Sequence, residues 1–480
     1  MSHLVSSRFT HLFEKNNCTA LFHSAKLNKV YTNTKLLNIL LKKTQKPVEE
    51  KILKNNFPPK LVDQLTEKSF LVEPGEDEKF IVEIRRKVGS FSIRNLVLLV
   101  SNDCNFDCSY CQIEKNMPKE RKVSMDIDTA QKALQLFNRN CNMNEQKTIT
   151  ITGGEPLLNL KVVKFIIKTV RKSFQNVRIV VFTNGSLVTE ELAMFFKQND
   201  ILILVSIDGP QEMHDSARRN KSGKGSFEMA IKGYNRLQES GCIVGISAVG
   251  GTHNTYNIDA TFNFFMELHP PSIGFNFSHF LIKKKNPTEL SITKFGDILL
   301  YFYRILREKG IFLENISRPI GAFSLNKIRL RECQAQGQGV TVDARGKVGP
   351  CKSLTVSDDF SIDINQINSI PNNSMFKEWA KRSPVMDNYC LNCAALGICG
   401  GGCAYDSFIS NKGAFQKIDR RVCSYHYNIL NFLIWDLYYR SADINSSTES
   451  LWFPNLKEQS QSFFSFFDKK NQLQRSVGHE

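Results

Sequence analysis

From residue 96 the chain settles into a rhythm of short apolar runs and longer two-faced stretches. The runs are Leu96–Val100, Thr148–Thr152, Ile179–Phe182, Ile201–Ile207, Val244–Val249 and Ile273–Phe277. Between them Thr129–Asn138, Lys161–Lys172, Glu190–Lys197, Phe227–Gln238 and Ile258–Leu268 carry apolar residues at helical spacing. Strands alternating with helices make parallel βα units. Six such units predict an α/β fold: an open, partial (β/α)6 barrel with its chemistry at the C-terminal ends of the strands.

The flanks read differently. Leu21–Phe22 and Val30–Tyr31 bracket the polar stretch His23–Lys29, which predicts a hairpin. Helical spacing follows in Lys35–Lys43, Glu49–Asn55 and Leu61–Lys68, with Pro47 placed as a helix start. Pro74-Gly75 after Phe70–Val72 is expected to be the wing of a winged helix. Beyond residue 330 regular elements thin out and cysteines accumulate. The tail after residue 445 is polar, then rich in Phe (Phe463, Phe464, Phe466, Phe467). These changes divide the chain into a winged-helix-like module (1–90), the barrel (91–310), a cysteine-rich domain (311–430) and a C-terminal helix and tail (431–480).

At 480 residues, two to four domains are expected. Hydrophobic residues make up 41% and charged residues 23%, which excludes wholesale disorder. The best membrane candidate, Ile429 to Tyr439, is too short to span and is broken by Asp436. The N-terminus lacks a signal-peptide layout, so a cytoplasmic location with no membrane partner is expected. Thirteen cysteines without an export signal then read as metal or redox ligands rather than disulfides. The formal charge is +16, and residues 1–60, with eleven Lys/Arg and three acids, carry +8 of it. That asymmetry fits an acidic partner or simply a solvated surface. No aromatic-and-basic RNA-binding signature accompanies it, so nucleic acid is not the expected partner.

Directly after the first strand comes Cys104-Asn-Phe-Asp-Cys108-Ser-Tyr-Cys111. Three thiolates within eight residues can hold one face of an iron–sulfur cube and leave the fourth iron open. A three-Cys zinc site is the alternative. Gly153-Gly154-Glu155-Pro156 ends the second strand, where paired glycines permit a close backbone approach and the glutamate offers a carboxylate to an ammonium. Thr183-Asn184-Gly185 ends the third strand. Ser206-Ile207-Asp208-Gly209-Pro210 ends the fourth, followed by His214-Asp215 and Arg218, which read as shaping the turn.

Over about residues 95–280 these motifs resemble the radical S-adenosylmethionine (radical SAM) superfamily. The resemblance implies that Cys104, Cys108 and Cys111 hold a [4Fe–4S] cluster whose open iron binds SAM. It implies that Gly153, Gly154, Glu155 and Pro156 contact the methionine ammonium. Tyr110 matches the position whose backbone approaches adenine. Ser206 and Asn184 match polar positions near the methionine carboxylate and the ribose. Electron transfer into SAM would then yield a 5′-deoxyadenosyl radical that takes a hydrogen from the substrate.

The second cysteine region runs Cys333, Gly346-x4-Cys351, Cys390-x2-Cys393-x5-Cys399-x3-Cys403 and Cys423. Without a family, the spacing suggests two metal sites, a zinc ribbon among the options. Seven cysteines do not divide into two closed sets of four, however. The pattern resembles the SPASM domain of radical SAM enzymes that modify peptides and proteins. The resemblance implies that Cys333, Cys351 and Cys403 hold one auxiliary [4Fe–4S] cluster, and Cys390, Cys393, Cys399 and Cys423 another. Where some members have a further cysteine, this chain has Gly339, which would leave the first auxiliary cluster an open iron. Gly400-Gly401-Gly402 lies inside this cysteine loop. Cys18, Cys141 and Cys242 fall outside both patterns and read as ordinary buried thiols.

Within that group the rivals are sulfatase maturases, which make formylglycine, and maturases of ribosomally made peptides. Here ninety residues precede the barrel, and Lys352 follows Cys351 where sulfatase maturases usually carry Asp. Both departures favour a peptide maturase, an oxidoreductase forming a carbon–carbon (cyclophane-type) or thioether cross-link. The N-terminal module resembles the PqqD-related winged-helix elements that bind leader peptides. The implied partners are a precursor peptide with an acidic leader and an electron donor such as flavodoxin or ferredoxin. A zinc-binding, nucleic-acid-interacting protein is the alternative from another class, and metal content separates the two.

Overall fold

A computed structural model describes residues 2–442 apart from 17, 33–34, 112, 114–121, 278–288 and 357. The Phe-rich tail lies outside the described residues. Six parallel strands lie side by side in chain order: Asn95–Leu99, Lys147–Thr152, Val177–Thr183, Ile201–Val205, Ile243–Gly250 and Ser272–Phe277. Each expected run is one of these strands, shifted by a residue or two at its ends. Leu96, Leu98 and Val100 face the main core, while Val97 and Leu99 pack with Val356 on the other side. Strands covered on both faces have no polar face to show, which is why they appear as runs and not as alternation.

The connecting helices also fall where the periodicity puts them, at Ile127–Asn140, Leu160–Ser173, Glu190–Gln198, Phe227–Glu239 and Ile258–Glu267. Helix 160–173 buries Val162, Val163, Ile166, Ile167 and Val170 along one stripe. Asp126 and Thr189 cap two of these helices by accepting from the backbone N–H groups of Thr129 and Leu192.

The sheet does not stop at six strands. Phe312–Leu313 adds in parallel beside Ser272–Phe277. At the opposite edge Gly339–Val342 pairs in parallel with the first strand, followed by Lys347–Gly349 and Ile362–Asp363, both antiparallel. The cysteine-rich region therefore closes the open edge of the first strand, which removes an unpaired row of backbone groups. Gly339 begins that added strand. A Cβ there would lie 3.2 Å from Asn95 Cβ, Asn95 O and Gln334 Cβ, so its missing side chain has a packing reason.

The N-terminal residues form two small antiparallel sheets. His3–Ser6 lies between Val48–Glu49 and Leu71–Val72. Thr10–Lys15, Cys18–His23 and Lys29–Thr32 form a meander that includes the expected hairpin. Its middle strand has two buried faces. Leu21 joins the module's own core with Leu4, Leu40, Leu53 and Leu65, while Ala20 and Phe22 enter the main core. Two expectations need correction. Pro47 precedes the short strand, and the helix begins at Glu50. Pro74-Gly75 leads into helix Glu76–Arg86 instead of a second wing strand. Gly75 takes a left-handed conformation (φ 85°). Glu76, Asp77 and Glu78 then favour the positive end of a helix.

One long helix, Glu289–Glu308, was not evident in the sequence pattern; the expected C-terminal helix is Cys423–Ala442, which starts earlier than expected, at the last of the seven cysteines. They pack together, and Asp436 accepts from Arg307 Nη1 and Nη2 at 2.7 and 2.9 Å. No helix among the described residues is long and apolar enough to cross a membrane.

Candidate cluster and cofactor site

The loop after the first strand is held from two sides. Phe106–Cys108 pairs antiparallel with Arg218–Asn220, in a register that sets Arg218 opposite Cys108. Ser109 N–H donates to Ala217 O at 2.9 Å, which continues the ribbon. On the other side lie Gly153 and Gly154. A Cβ on Gly153 would fall 2.2 Å from Ser101 O, and one on Gly154 2.1 Å from Asp103 O. Gly154 N–H donates to Ser101 O and Glu155 N–H to Asp103 O, at 2.7 and 2.8 Å. The paired glycines do permit a close approach, but what approaches is the root of the cysteine loop. Gly154→Ala is expected to push that loop aside and to cost roughly a hundredfold in SAM cleavage. Activity equal to the parent in a 5′-deoxyadenosine assay would contradict this.

Glu155 is fully buried. Its Oε1 accepts from Thr183 Oγ1 and Leu157 N–H, and its Oε2 from Asn184 N–H. Burial pushes its pKa up to about 7 against the pull of these donors. The carboxylate thus joins the end of the second strand to the end of the third and fixes Asn184. Asn184 Nδ2 lies 3.8 Å from Cys104 Sγ and donates to Asn105 Oδ1 at 2.9 Å. Ser206 continues the row, its N–H donating to Thr183 O at 2.9 Å. Pro156 opens the short helix that follows.

Tyr110 stands in a polar cluster that sequence reasoning only half saw. Its hydroxyl donates to Asp208 Oδ2, its ring stacks on His253 with centroids 5.6 Å apart, and the Arg218 guanidinium lies 5.3 Å from its centre. Arg218 Nη2 donates to Asp208 Oδ1 at 3.0 Å, and Val249 N–H to the same oxygen at 2.9 Å. Asp208 is wholly buried. Burial opposes its charge, yet Arg218 and His253 hold it well below the usual carboxylate range. Asp208 and Arg218 thus do more than shape a turn: they brace the strand that carries Cys108. His214, by contrast, is buried in the short helix Gln211–Ala217, its Nε2 3.1 Å from Ser226 Oγ. His253 was missed; its only sequence signal is its place just past the end of the fifth strand.

The thiols of Cys104 and Cys108 are pushed up by burial to about 12 and about 11, and the charges of Cys108 and Cys111 act on Cys104. The later cysteines sort the same way. Cys403 is raised by burial and by Asp406, Cys333 and Cys351. Cys390 is raised to about 12 by burial, Asp387, Cys399, Cys393 and Cys423. Within each of the groups 104/108/111, 333/351/403 and 390/393/399/423 the cysteines lie near enough to act on one another's charge. Among the described residues, no three His, Cys, Asp or Glu side chains converge as a single-ion site. Around Cys333, Cys351 and Cys403 lies an apolar cluster that includes Trp379 and Phe415. Trp379 is fully buried, and its Nε1–H has no acceptor among the described residues. A buried orphan donor is costly, and the sulfur of an iron–sulfur cluster would supply the acceptor. Of the three remaining cysteines, Cys18 is buried and Cys141 and Cys242 are partly exposed.

Residues 98–265 match the Radical SAM superfamily. The chain belongs to that superfamily. This radical SAM enzyme is 23% identical over 472 residues to the radical SAM cyclopropyl synthase TigE of Paramaledivibacter caminithermalis, a match covering 90% of this chain and 96% of TigE. In fold it is similar to anSMEcpe with bound AdoMet (TM-score 0.61, 18% identity, 75% of this chain and 98% of that one). It is also similar to Streptococcus suis SuiB bound to its precursor peptide SuiA (TM-score 0.50, 14% identity, 87% of this chain and 99% of that one).

Proposed function

We propose that this radical SAM enzyme modifies a ribosomally made precursor peptide by forming a carbon–carbon or thioether link within it. The observation that carries the reading is the presence of three cysteine groups in one chain, each with members that act on one another's charge, the first on the loop that follows the first parallel strand. In this reading Cys104, Cys108 and Cys111 hold a [4Fe–4S] cluster. When bound, cluster and SAM supply a 5′-deoxyadenosyl radical that takes a hydrogen atom from a substrate carbon. The chain's own residues fix the geometry. The Gly153–Pro156 backbone, Asn184 and Ser206 line the strand ends where SAM would lie. Tyr110 is locked by Asp208 and His253 so that its backbone can border the adenine.

The other seven cysteines would hold two auxiliary clusters in a SPASM-type domain. A new carbon–carbon bond removes two hydrogens. One would leave with the deoxyadenosyl group; the other would leave as a proton, and its electron would need an acceptor, which an auxiliary cluster held by the later cysteines would supply. TigE is a cyclopropyl synthase and SuiB binds a precursor peptide, which supports a peptide substrate. Residues 1–90 form the module proposed to hold the leader, and flavodoxin or ferredoxin would be the electron source.

Anaerobic co-expression with short open reading frames beside the gene, followed by mass spectrometry, tests the proposal. A peptide lighter by two hydrogens is expected. A sulfatase-type peptide converted to formylglycine would favour the second reading, which the 98% coverage of anSMEcpe keeps in play.

Deleting residues 1–90 is a poor test of leader binding, because Phe13, Ala20 and Phe22 belong to the main core. Charge reversal at the exposed Lys42, Lys46 and Lys51 is cleaner. It should weaken binding of an acidic leader roughly tenfold at low salt, and less at high salt, while uncoupled SAM cleavage is unchanged. Equal affinities in a titration with the leader peptide would remove the charge from the recognition.

A further inference from the structure

Arg382 is 2% exposed, and its side chain is bound to the segment between Cys399 and Cys403. Its Nε donates to Phe415 O, Nη1 to Gly402 O and Nη2 to Gly401 O, at 2.7, 2.7 and 2.6 Å. Those two glycines, with Gly400, join Cys399 of one group to Cys403 of the other. The Arg382 carbonyl accepts from Gln336 Nε2 at 2.7 Å, and Gln336 Oε1 in turn accepts from Cys333 N–H at 3.0 Å. One side chain thus binds the peptide segment linking the two groups, and its backbone is tied to a third cysteine.

Every partner of this guanidinium is a neutral carbonyl. Among the described residues no carboxylate oxygen comes within ion-pair distance of it, in contrast to Arg329, Arg345 and Arg421 nearby, which all have one. A buried cation needs a counter-charge. Burial works against its charge, and the groups that favour it are Cys403, Cys333, Glu332 and Cys399, in that order, the three cysteines drawn from both sets.

We propose that Arg382 is a positioning residue shared by the two auxiliary sites, a fixed cation whose counter-charge is the pair of thiolate-ligated clusters. This rests on the auxiliary-cluster reading above. A thiolate-ligated cluster is anionic and becomes more so on reduction, so a cation held beside it favours the reduced form and raises its potential. Gly401 and Gly402 suit the same arrangement: both take positive φ (91° and 67°), and a Cβ on Gly401 would sit 3.5 Å from Arg382 Nη1.

The test uses the full chain with Cys104, Cys108 and Cys111 replaced by alanine, so that only auxiliary clusters report. Iron and sulfide are counted, and both potentials are followed by electron paramagnetic resonance during redox titration. Arg382→Gln should lower both potentials, and Arg382→Lys should keep them near the parent values. Unchanged potentials in a cluster-loaded Arg382→Gln chain would overturn the proposal. If Arg382→Gln gives no loaded protein, Arg382→Lys decides. A loaded lysine variant with parental potentials supports the fixed charge; failure of lysine too, or potentials displaced from the parent's, overturns it. A parent chain that holds no iron at all would overturn the auxiliary-cluster reading itself, and this proposal with it.

Discussion

Replacing Cys104, Cys108 and Cys111 together by alanine is expected to abolish reductive cleavage of SAM while leaving loaded the auxiliary clusters proposed for the later cysteines. In a chain with three [4Fe–4S] clusters, iron should fall from about twelve to roughly eight per molecule. The physical basis is separation. These three cysteines sit on a ribbon with Arg218–Asn220, and no later cysteine shares that ribbon. The core beneath does not depend on them, since the first strand is held by its neighbours Lys147–Thr152 and Gly339–Val342. Persistent 5′-deoxyadenosine formation by the triple variant would show that the radical is made elsewhere. Complete loss of iron would show that assembly of the later clusters depends on the first.

Arg218→Met should be the most damaging single change near the site. Asp208 is wholly buried and relies on Arg218 for its charge balance. Removing one member of a buried pair typically costs about 3–5 kcal/mol, because the remaining charge is stranded. Tyr110, His253 and Val249 all reach Asp208, so the disturbance would spread into the proposed adenine border. Chemical denaturation should show the loss. Adding Asp208→Leu should restore part of the stability, because the stranded charge is gone, but not SAM binding, because Tyr110 has lost its acceptor. If the single variant is as stable as the parent, the ion pair does not brace the loop.

The parallel sheet and its helices were legible because the strands are buried on both faces and the helices on one, so the periodicity writes itself into the order of residues. The motifs at the strand ends were legible as a set, yet the partner of Gly153 and Gly154 was not, since nothing in four residues says that Ser101 and Asp103 will press against them. Helix Glu289–Glu308 was missed because its apolar stripe is matched by Cys423–Ala442, more than a hundred residues away. His253, Trp379 and Arg382 stand alone in sequence; their meaning comes from what surrounds them, which only the fold supplies. The Pro74-Gly75 turn misled because a turn signal marks a change of direction without naming the element that follows.

The meander at Thr10–Thr32 bears on how such enzymes can be rebuilt. One face of its middle strand closes the small N-terminal core, and the other belongs to the body of the enzyme. Phe22 stacks on Phe323, Phe13 on Tyr427, and the Tyr31 hydroxyl donates to Ile434 O at 2.7 Å. The N-terminal module is therefore not a cassette that can be exchanged at a linker. A chimaera that imports another enzyme's N-terminal ninety residues would have to import the matching face of helix Cys423–Ala442 as well, from the far end of the chain.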